Sequence, residues 1–600
     1  MMRVLAQSER PAPLVWPLYL VATLLISLVF SAITPPFQAP DEFDHVKRAY
    51  MLGQGQILLK SVEGSPSGGY LDTGLVAYMD HFTPLKGVGH RKVSADELQA
   101  AAAERWTGEQ TFQTAVGTAY YFPLMYTPQA VGLGLGKALE MSVSKSYRLA
   151  RLLELLTCGA LLGLAFCLHR PSAAVLALLA LPMNLFLFGS AVLDPMATAV
   201  ALVSLSAFMR VLFDGQSVRP LAVACLHVGV LLLCACRANM LPMLLLPFIA
   251  AWIQRERRQW YIAVAVAAFV LGWTLLTVKT TVYPPSGRQI DHGARLLHLL
   301  THPGELWGIL WATWTNSARM SFYVVSFVGV LGWLDAPFPM SFYYVVVCAL
   351  GAIMLLSLTI DDWRSSTQIV ARLALVTVAL GSILMTFLAL LVQWTDPSSP
   401  TVDGVQGRYL LIPLLCLVFA LTATSRPRRG PQFYIGHGLS ALLLCAMAYA
   451  SAGLLVQRYH TVATQEASMQ IELKPSAPLT ASESVELHFP TSQRDAPLPL
   501  DRIAIRFGTY MTEHVGTAEL QLWTADGQRK EVPFALATLV DNGYAEFPLD
   551  GRPYVGGKVV SRDGGGVSVW ESHAANKVDS CILVQPTGEE PRLVLGCPLP

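Results

Sequence analysis

Eleven separate runs of apolar residues, each long enough or nearly long enough to cross a lipid bilayer, constrain this chain more than any other feature. They lie at about 14–33, 149–168, 172–192, 195–213, 219–236, 239–253, 260–281, 340–360, 368–394, 408–424 and 435–456. A hydrocarbon core of about 30 Å needs roughly 20 apolar residues in a helix, and such a series cannot fold as a water-soluble core. Composition agrees: 53% of the 600 residues are hydrophobic, only 14% are charged, and the mean hydropathy is +0.46. The chain reads as a polytopic α-helical membrane protein. A net charge of +1 gives no global field for nucleic acid, so specificity has to come from local sites.

The first run follows Arg3 and Arg10 and lacks a small-residue cleavage site, so it reads as a retained anchor with a cytoplasmic amino terminus. Alternate crossing then places the basic loops His169-Arg170, Arg210 to Arg219, Arg255 to Arg258, Arg364 and Arg426 to Arg429 on the cytoplasmic side, as the positive-inside rule requires. Two further apolar stretches, 119–139 and 304–330, would break this pattern if both spanned. Pro123 and Pro128 in one, and Trp307, Trp311 and Trp314 in the other, suit re-entrant or interfacial helices on the outer side. A thirteen-span arrangement is the alternative. Either odd count exports the carboxyl terminus.

From about 461 the pattern changes to alternating segments: Val485, Leu487, Phe489; Ile503, Ile505, Phe507; Leu520, Leu522. Asp526-Gly527, Asp550-Gly551 and Asp563-Gly564 supply turns. This predicts a membrane domain over 1–460 and an extracytoplasmic β-sandwich over 461–600. Of ten cysteines only Cys581 and Cys597 fall in the second part, and a disulfide between neighbouring strands fits an oxidising exterior.

The first outer loop, 34–118, opens with Thr34-Pro35-Pro36-Phe37-Gln38-Ala39-Pro40-Asp41-Glu42-Phe43-Asp44-His45. Pro40 can begin a helix. At 100° per residue Asp41, Asp44, His45 and Arg48 then share one face and Phe43, Val46 and Tyr50 another. The spacing predicts an amphipathic helix lying on the membrane with its ionisable face toward water. Such a face is either a solvated surface with a capping aspartate or a catalytic surface.

The run Asp41-Glu42, His45, Arg48-Ala49-Tyr50 with Gly53 or Gly55 resembles the first-loop motif of the DUF2142 family of bacterial membrane proteins, itself similar to family C (GT-C) glycosyltransferases. Val192-Leu193-Asp194-Pro195, Gly329 to Pro337 and Gln406-Gly407-Arg408-Tyr409 carry the same resemblance, which covers about 14–456. Pro195 stands where related sequences often have Ala and leaves the direction of Asp194 open. Phe507-Gly508-Thr509-Tyr510 with Gly516 is loosely similar to carbohydrate-binding-like sandwiches.

The resemblance implies a glycosyltransferase of the bacterial inner membrane. It would transfer a sugar, with inversion, from a polyprenyl-phosphate lipid to an outer acceptor such as a polysaccharide, glycolipid or surface protein. Asp41 is the expected general base and Glu42 the alternative, with Asp44 and His45 as polar contacts to substrate. Arg408, next to Tyr409, is expected to hold the lipid phosphate. Arg237 is either a second phosphate ligand or an interfacial anchor. Asp194 would shape the sugar pocket or, with Asp41, hold a divalent cation such as Mg, Mn or Ca. Lys279, Arg288, Arg295 and Arg319 read as lipid-headgroup contacts, with substrate contact as the alternative, and Trp333 as a sugar-stacking candidate. Alternatives from other classes are a transporter or flippase of lipid-linked glycans and a non-catalytic glycan-assembly protein.

Overall fold

The computed structural model describes residues 15–598 apart from 63–64, 90, 116, 283–291, 360–364, 398, 425–429, 461–471, 481–483, 491–492, 495–496, 575–576, 589–590 and 595–596. Arg3, Arg10, Arg288, Arg364 and Arg426 to Arg429 lie outside the described residues.

Among the described residues seven helices are long and apolar enough to cross a membrane: Val15–Ile33, Val143–Leu168, Leu193–Ser217 with its terminal 3-10 turn, Arg257–Thr280, Met340–Ser357, Ser366–Gln393 and Pro431–Tyr459. Three shorter apolar stretches, Pro220–Cys236, Ala238–Gln254 and Gly407–Thr422, fall on further expected spans. The expected span at 172–192 differs: it forms two short helices, Ala173–Leu179 and Pro182–Phe188. Pro182 lacks an N–H and disfavours helical geometry in the residue before it, so the helix stops and restarts there. All of its residues are buried among the other helices, where a broken backbone can be satisfied.

The two stretches set apart as non-spanning are also broken. Residues 119–139 give a 3-10 turn, Pro123–Tyr126, and a helix, Thr127–Ala138. Residues 304–330 give Pro303–Thr315 and Ser317–Val328, interrupted at Asn316, whose side chain caps the second helix. At 1.5 Å per residue none of these reaches the roughly 30 Å of a hydrocarbon core.

The carboxyl-terminal part is a two-layer antiparallel sandwich. One sheet runs in the order Lys577–Ser580, Ser568–Ala574, Leu500–Gly508, Ile582–Pro586, Arg592–Leu593, with Glu472–Pro475 and Tyr544–Arg552 added on its strands. The other runs Ser484–Leu487, Tyr554–Ser561, Thr517–Thr524, Arg529–Ala535. The alternating residues read from the sequence all point between the sheets: Val485, Leu487, Phe489, Ile503, Ile505, Phe507, Leu520 and Leu522 are buried. Asp526-Gly527 turns one hairpin, with Gly527 at φ 85°. Cys581 and Cys597 form a disulfide, although Cys597 lies in the tail beyond the last short strand and not on a strand.

Candidate active site

The segment leaving the first long helix turns sharply twice. Phe37 and Asp41 both adopt left-handed backbone conformations, at φ 62° and 64°, which residues other than Gly rarely take. Packing holds them there. The Phe37 ring lies on Phe43 and Tyr147 at centroid distances of 4.9 and 4.7 Å. Its N–H donates to the Tyr147 hydroxyl at 3.1 Å and its carbonyl accepts from Trp333 Nε1 at 2.9 Å. Trp333 also carries Lys86 over its ring at 4.0 Å. It is therefore a bracket for this segment.

The helix that follows is Glu42–Gly53, starting later than Pro40 allows, with Asp41 as its N-cap. The Asp41 side chain makes no capping bond. Its Oδ2 instead accepts from Arg408 Nη2 at 2.6 Å. A capping residue normally satisfies the first helical N–H groups, so this carboxylate is committed to a partner 367 residues away.

Two expectations for this helix are corrected. The face bearing Asp41, Asp44, His45 and Arg48 is turned to water only in part: His45 and Arg48 are 3% and 0% exposed, while Asp41 is half-exposed. The turn Pro123–Tyr126 and the helix Thr127–Ala138 pack on the Glu42–Gly53 helix, so it is embedded and does not lie on a surface. Arg48 donates to the carbonyls of Gln56 and Ile57, closing the turn beyond the helix end. His45 Nδ1 is 2.8 Å from the Tyr126 hydroxyl, with its ring parallel to Tyr121. Burial holds the His45 pKa below the usual histidine value, aided by Arg237 and Arg408 and opposed by Asp41 and Asp194.

The second correction concerns Glu42. It is fully buried and bonded to Arg151 Nε and Nη2 at 3.1 Å each, to the Tyr147 hydroxyl at 2.8 Å, and to the Ala39 and Ala191 N–H groups at 3.2 and 2.7 Å. A carboxylate so engaged has no lone pair left for an incoming hydroxyl. It ties the segment after the first long helix to the helix Val143–Leu168 and to the turn just before Asp194. Asp44 pairs with Lys47 at 3.2 Å on the outer side of the helix.

Asp194 opens the helix Leu193–Asp214, followed by Pro195. A proline in the first turn removes an N–H that has no intrahelical partner, so the helix starts normally and Asp194 keeps its direction. Its Oδ1 lies 2.9 Å from Arg237 Nη2 and its Oδ2 3.8 Å from Arg408 Nη1. Arg237 is the extended residue that ends Pro220–Cys236. Arg408 sits in the 3-10 turn Gly407–Leu410, with Tyr409 beside its guanidinium at 5.2 Å.

The structure thus brings Asp41, His45, Asp194, Arg237, Arg408 and Tyr409 to one place and leaves Glu42 and Asp44 outside it. Carboxylates and guanidinium groups alternate in the order Asp41, Arg408, Asp194, Arg237, beside a cleft that Asn184, Phe188, Thr198 and Leu411 help to line. Arg408 is buried while half of the Asp41 side chain is exposed. The Nε groups of Arg237 and Arg408 are buried and lack a protein partner among the described residues. Asp41 and Asp194 are interleaved with guanidinium groups, so each carboxylate charge is balanced by a neighbouring cation. No group of three or more metal-ligating side chains gathers among the described residues.

Sequence reasoning missed the aromatic wall of this site. Tyr120 and Tyr121 lie edge to face at 4.5 Å, with their hydroxyls 3.4 Å apart. Tyr121 stacks on His45, and Tyr120 lies near Arg237 and Asp41. The paired tyrosines just before Phe122-Pro123 were the signal available.

The family model for predicted membrane proteins of the DUF2142 type matches residues 24–450. The chain belongs to the DUF2142 family. No curated protein matches this DUF2142 protein. Among solved structures it is similar to ArnT from Cupriavidus metallidurans bound to undecaprenyl phosphate, at 14% identity over 79% of this chain and 82% of that one, with a TM-score of 0.26. It is also similar to the arabinosyltransferase EmbB from Mycobacterium smegmatis, at 12% identity over 97% of this chain and 66% of that one, with a TM-score of 0.24.

Proposed function

We propose that this protein is an inner-membrane glycosyltransferase that moves a sugar from a polyprenyl phosphate to an acceptor hydroxyl outside the cytoplasm, with inversion. The observation that carries the reading is the Asp41–Arg408 pair, a half-exposed carboxylate on a buried guanidinium at the start of an apolar helix. Arg408 and Arg237 offer their unused Nε donors to the phosphate of a lipid whose tail stays in the bilayer. As that phosphate takes a place on Arg408, it draws the guanidinium away from Asp41. The freed carboxylate then accepts the proton of the acceptor hydroxyl. The acceptor oxygen bonds to the anomeric carbon from the face opposite the phosphate. The bond from that carbon to the phosphate oxygen breaks, and polyprenyl phosphate leaves with its charge held by the two arginines.

His45, kept neutral by burial, orients Tyr126 and backs the aromatic wall. The sandwich at 472–598 serves as the acceptor-holding module, which raises local acceptor concentration without altering the chemistry. The test is the protein purified in lipid and offered a panel of polyprenyl-phosphate sugars. Consumption of one donor with release of polyprenyl phosphate supports the reading. No consumption with any donor and acceptor class, by protein that binds polyprenyl phosphate, would move it to the glycan-assembly alternative.

A further inference from the structure

The sandwich touches the membrane domain through a built polar contact, and that contact leads to Arg408. Glu513 lies on the loop after the strand Leu500–Gly508. Tyr510 and Met511, both left-handed at φ 56° and 59°, shape this loop, and His514 Nε2 ties it to the Thr509 carbonyl and the Thr512 hydroxyl. Glu513 Oε1 accepts from Asn316 Nδ2 at 2.9 Å and from Arg319 Nε at 3.2 Å. Asn316 is the N-cap of Ser317–Val328 and Arg319 lies in its first turn.

Arg319 is therefore no headgroup contact. Its other nitrogens hold the segment that delivers Arg408: Nη2 reaches Asp403 Oδ1 at 2.7 Å and Nη1 the Val402 carbonyl at 2.9 Å. The same segment is fixed by Val402 N–H to the Thr313 hydroxyl at 2.8 Å, Asp403 N–H to the Thr395 hydroxyl at 2.9 Å, and Gly407 N–H to the Ser326 hydroxyl at 2.8 Å. Gly407 lies so close to Ser317–Val328 that a Cβ would meet the Tyr323 carbonyl at 2.1 Å. One helix thus holds the sandwich at its first turn and the residue next to Arg408 at its last.

We infer that Glu513 is a positioning residue for the site: through Arg319 it latches the sandwich to the segment 402–408 and fixes where Arg408 meets the donor phosphate. This rests on the reading of Arg408 as a phosphate ligand and gives the sandwich a part in donor binding besides holding acceptor. A shared arginine lets a change at one partner be felt at the other, with coupling of the size found along such networks.

Two measurements on the full chain in detergent separate the latch from the reading it rests on. Hydrogen exchange of the peptide covering 399–410 should quicken by roughly threefold or more in Glu513→Ala, and further in Arg319→Ala, which also loses Asp403. Glu513→Asp should restore part of the protection. Unchanged exchange in Glu513→Ala overturns the latch whatever the chemistry of the site. Binding of polyprenyl phosphate should weaken by roughly threefold or more in Glu513→Ala, with a larger loss in Arg408→Ala. Weakening in Arg408→Ala alone also overturns the latch while leaving the phosphate reading intact. Quickened exchange with binding unchanged in both variants keeps the mechanical link but removes Arg408 from the phosphate, and the positioning role falls with it.

Discussion

Among the described residues the Asp41 carboxylate is bonded to Arg408, and this gives its substitution a signature. Asp41→Asn keeps the shape but cannot accept the proton, so turnover should fall by about 10² to 10⁴. Polyprenyl-phosphate binding should stay equal or tighten, because a competing carboxylate has gone from Arg408. Near-normal turnover in that variant would take the base role from Asp41. Arg408→Ala removes a charge-assisted contact of roughly 1.5 to 3 kcal/mol, so donor binding should weaken by about tenfold or more. Arg408→Lys should recover only part for want of the planar fork, and unchanged affinity in both would make Arg408 an anchor. His45 offers a test through pH. Its folded pKa lies below the unfolded value of about 6.5. Below pH 6.5 the unfolded chain therefore binds a proton that the folded chain refuses, and stability falls as pH drops toward the folded pKa. Melting in detergent at pH 5.5 and 7.5 should differ less for His45→Asn than for the wild type. An equal difference would mean His45 is not held neutral.

At the scale of elements, apolar runs and alternation carried the architecture because burial in lipid or between sheets is written in hydrophobic period. The break at Pro182 was visible as a proline inside an apolar run, yet a run counted only by length conceals it. The helix Glu42–Gly53 shows where periodicity stops informing. Its polar face suggested water, but partners from distant segments, Tyr126 and the carbonyls of Gln56 and Ile57, satisfy His45 and Arg48 in the interior. The motifs singled out Asp41, Asp194 and Arg408, and the end of a span Arg237, but not which carboxylate of Asp41-Glu42 meets Arg408. The left-handed turn at Asp41 decides that, and a non-glycine residue gives no sequence sign of it. Packing at Gly407 supplies a test: Gly407→Ala must push Ser317–Val328 and the Arg408 turn apart, a strain of about 1 to 3 kcal/mol. Melting should drop and donor affinity should fall together. A variant with wild-type melting would show that the contact can relax.

For the whole molecule, the membrane region and the sandwich have separate cores, and among the described residues Glu513 joins them to Asn316 and Arg319. A chain ending near residue 462 should fold and still transfer sugar to a small soluble acceptor. It should lose efficiency on a polymeric acceptor and show the weakened donor binding of Glu513→Ala. Full activity on the native acceptor would give the sandwich another task. Loss of all transfer by a folded truncation would place it inside the catalytic site.

The bond between Glu42 and Arg151 also sets an order of events during synthesis. Glu42 follows directly on the first long helix, whereas Arg151 comes 109 residues later and the Ala191 N–H 149 residues later. Until the second long helix and the turn before Asp194 have left the ribosome, Glu42 lacks these two partners. Arg408, nearer the end of the membrane region, follows later still. The nascent protein therefore carries Asp41 long before the Arg408 guanidinium that will face it, and a chain released early holds a buried-site carboxylate, Glu42, without Arg151 to meet it.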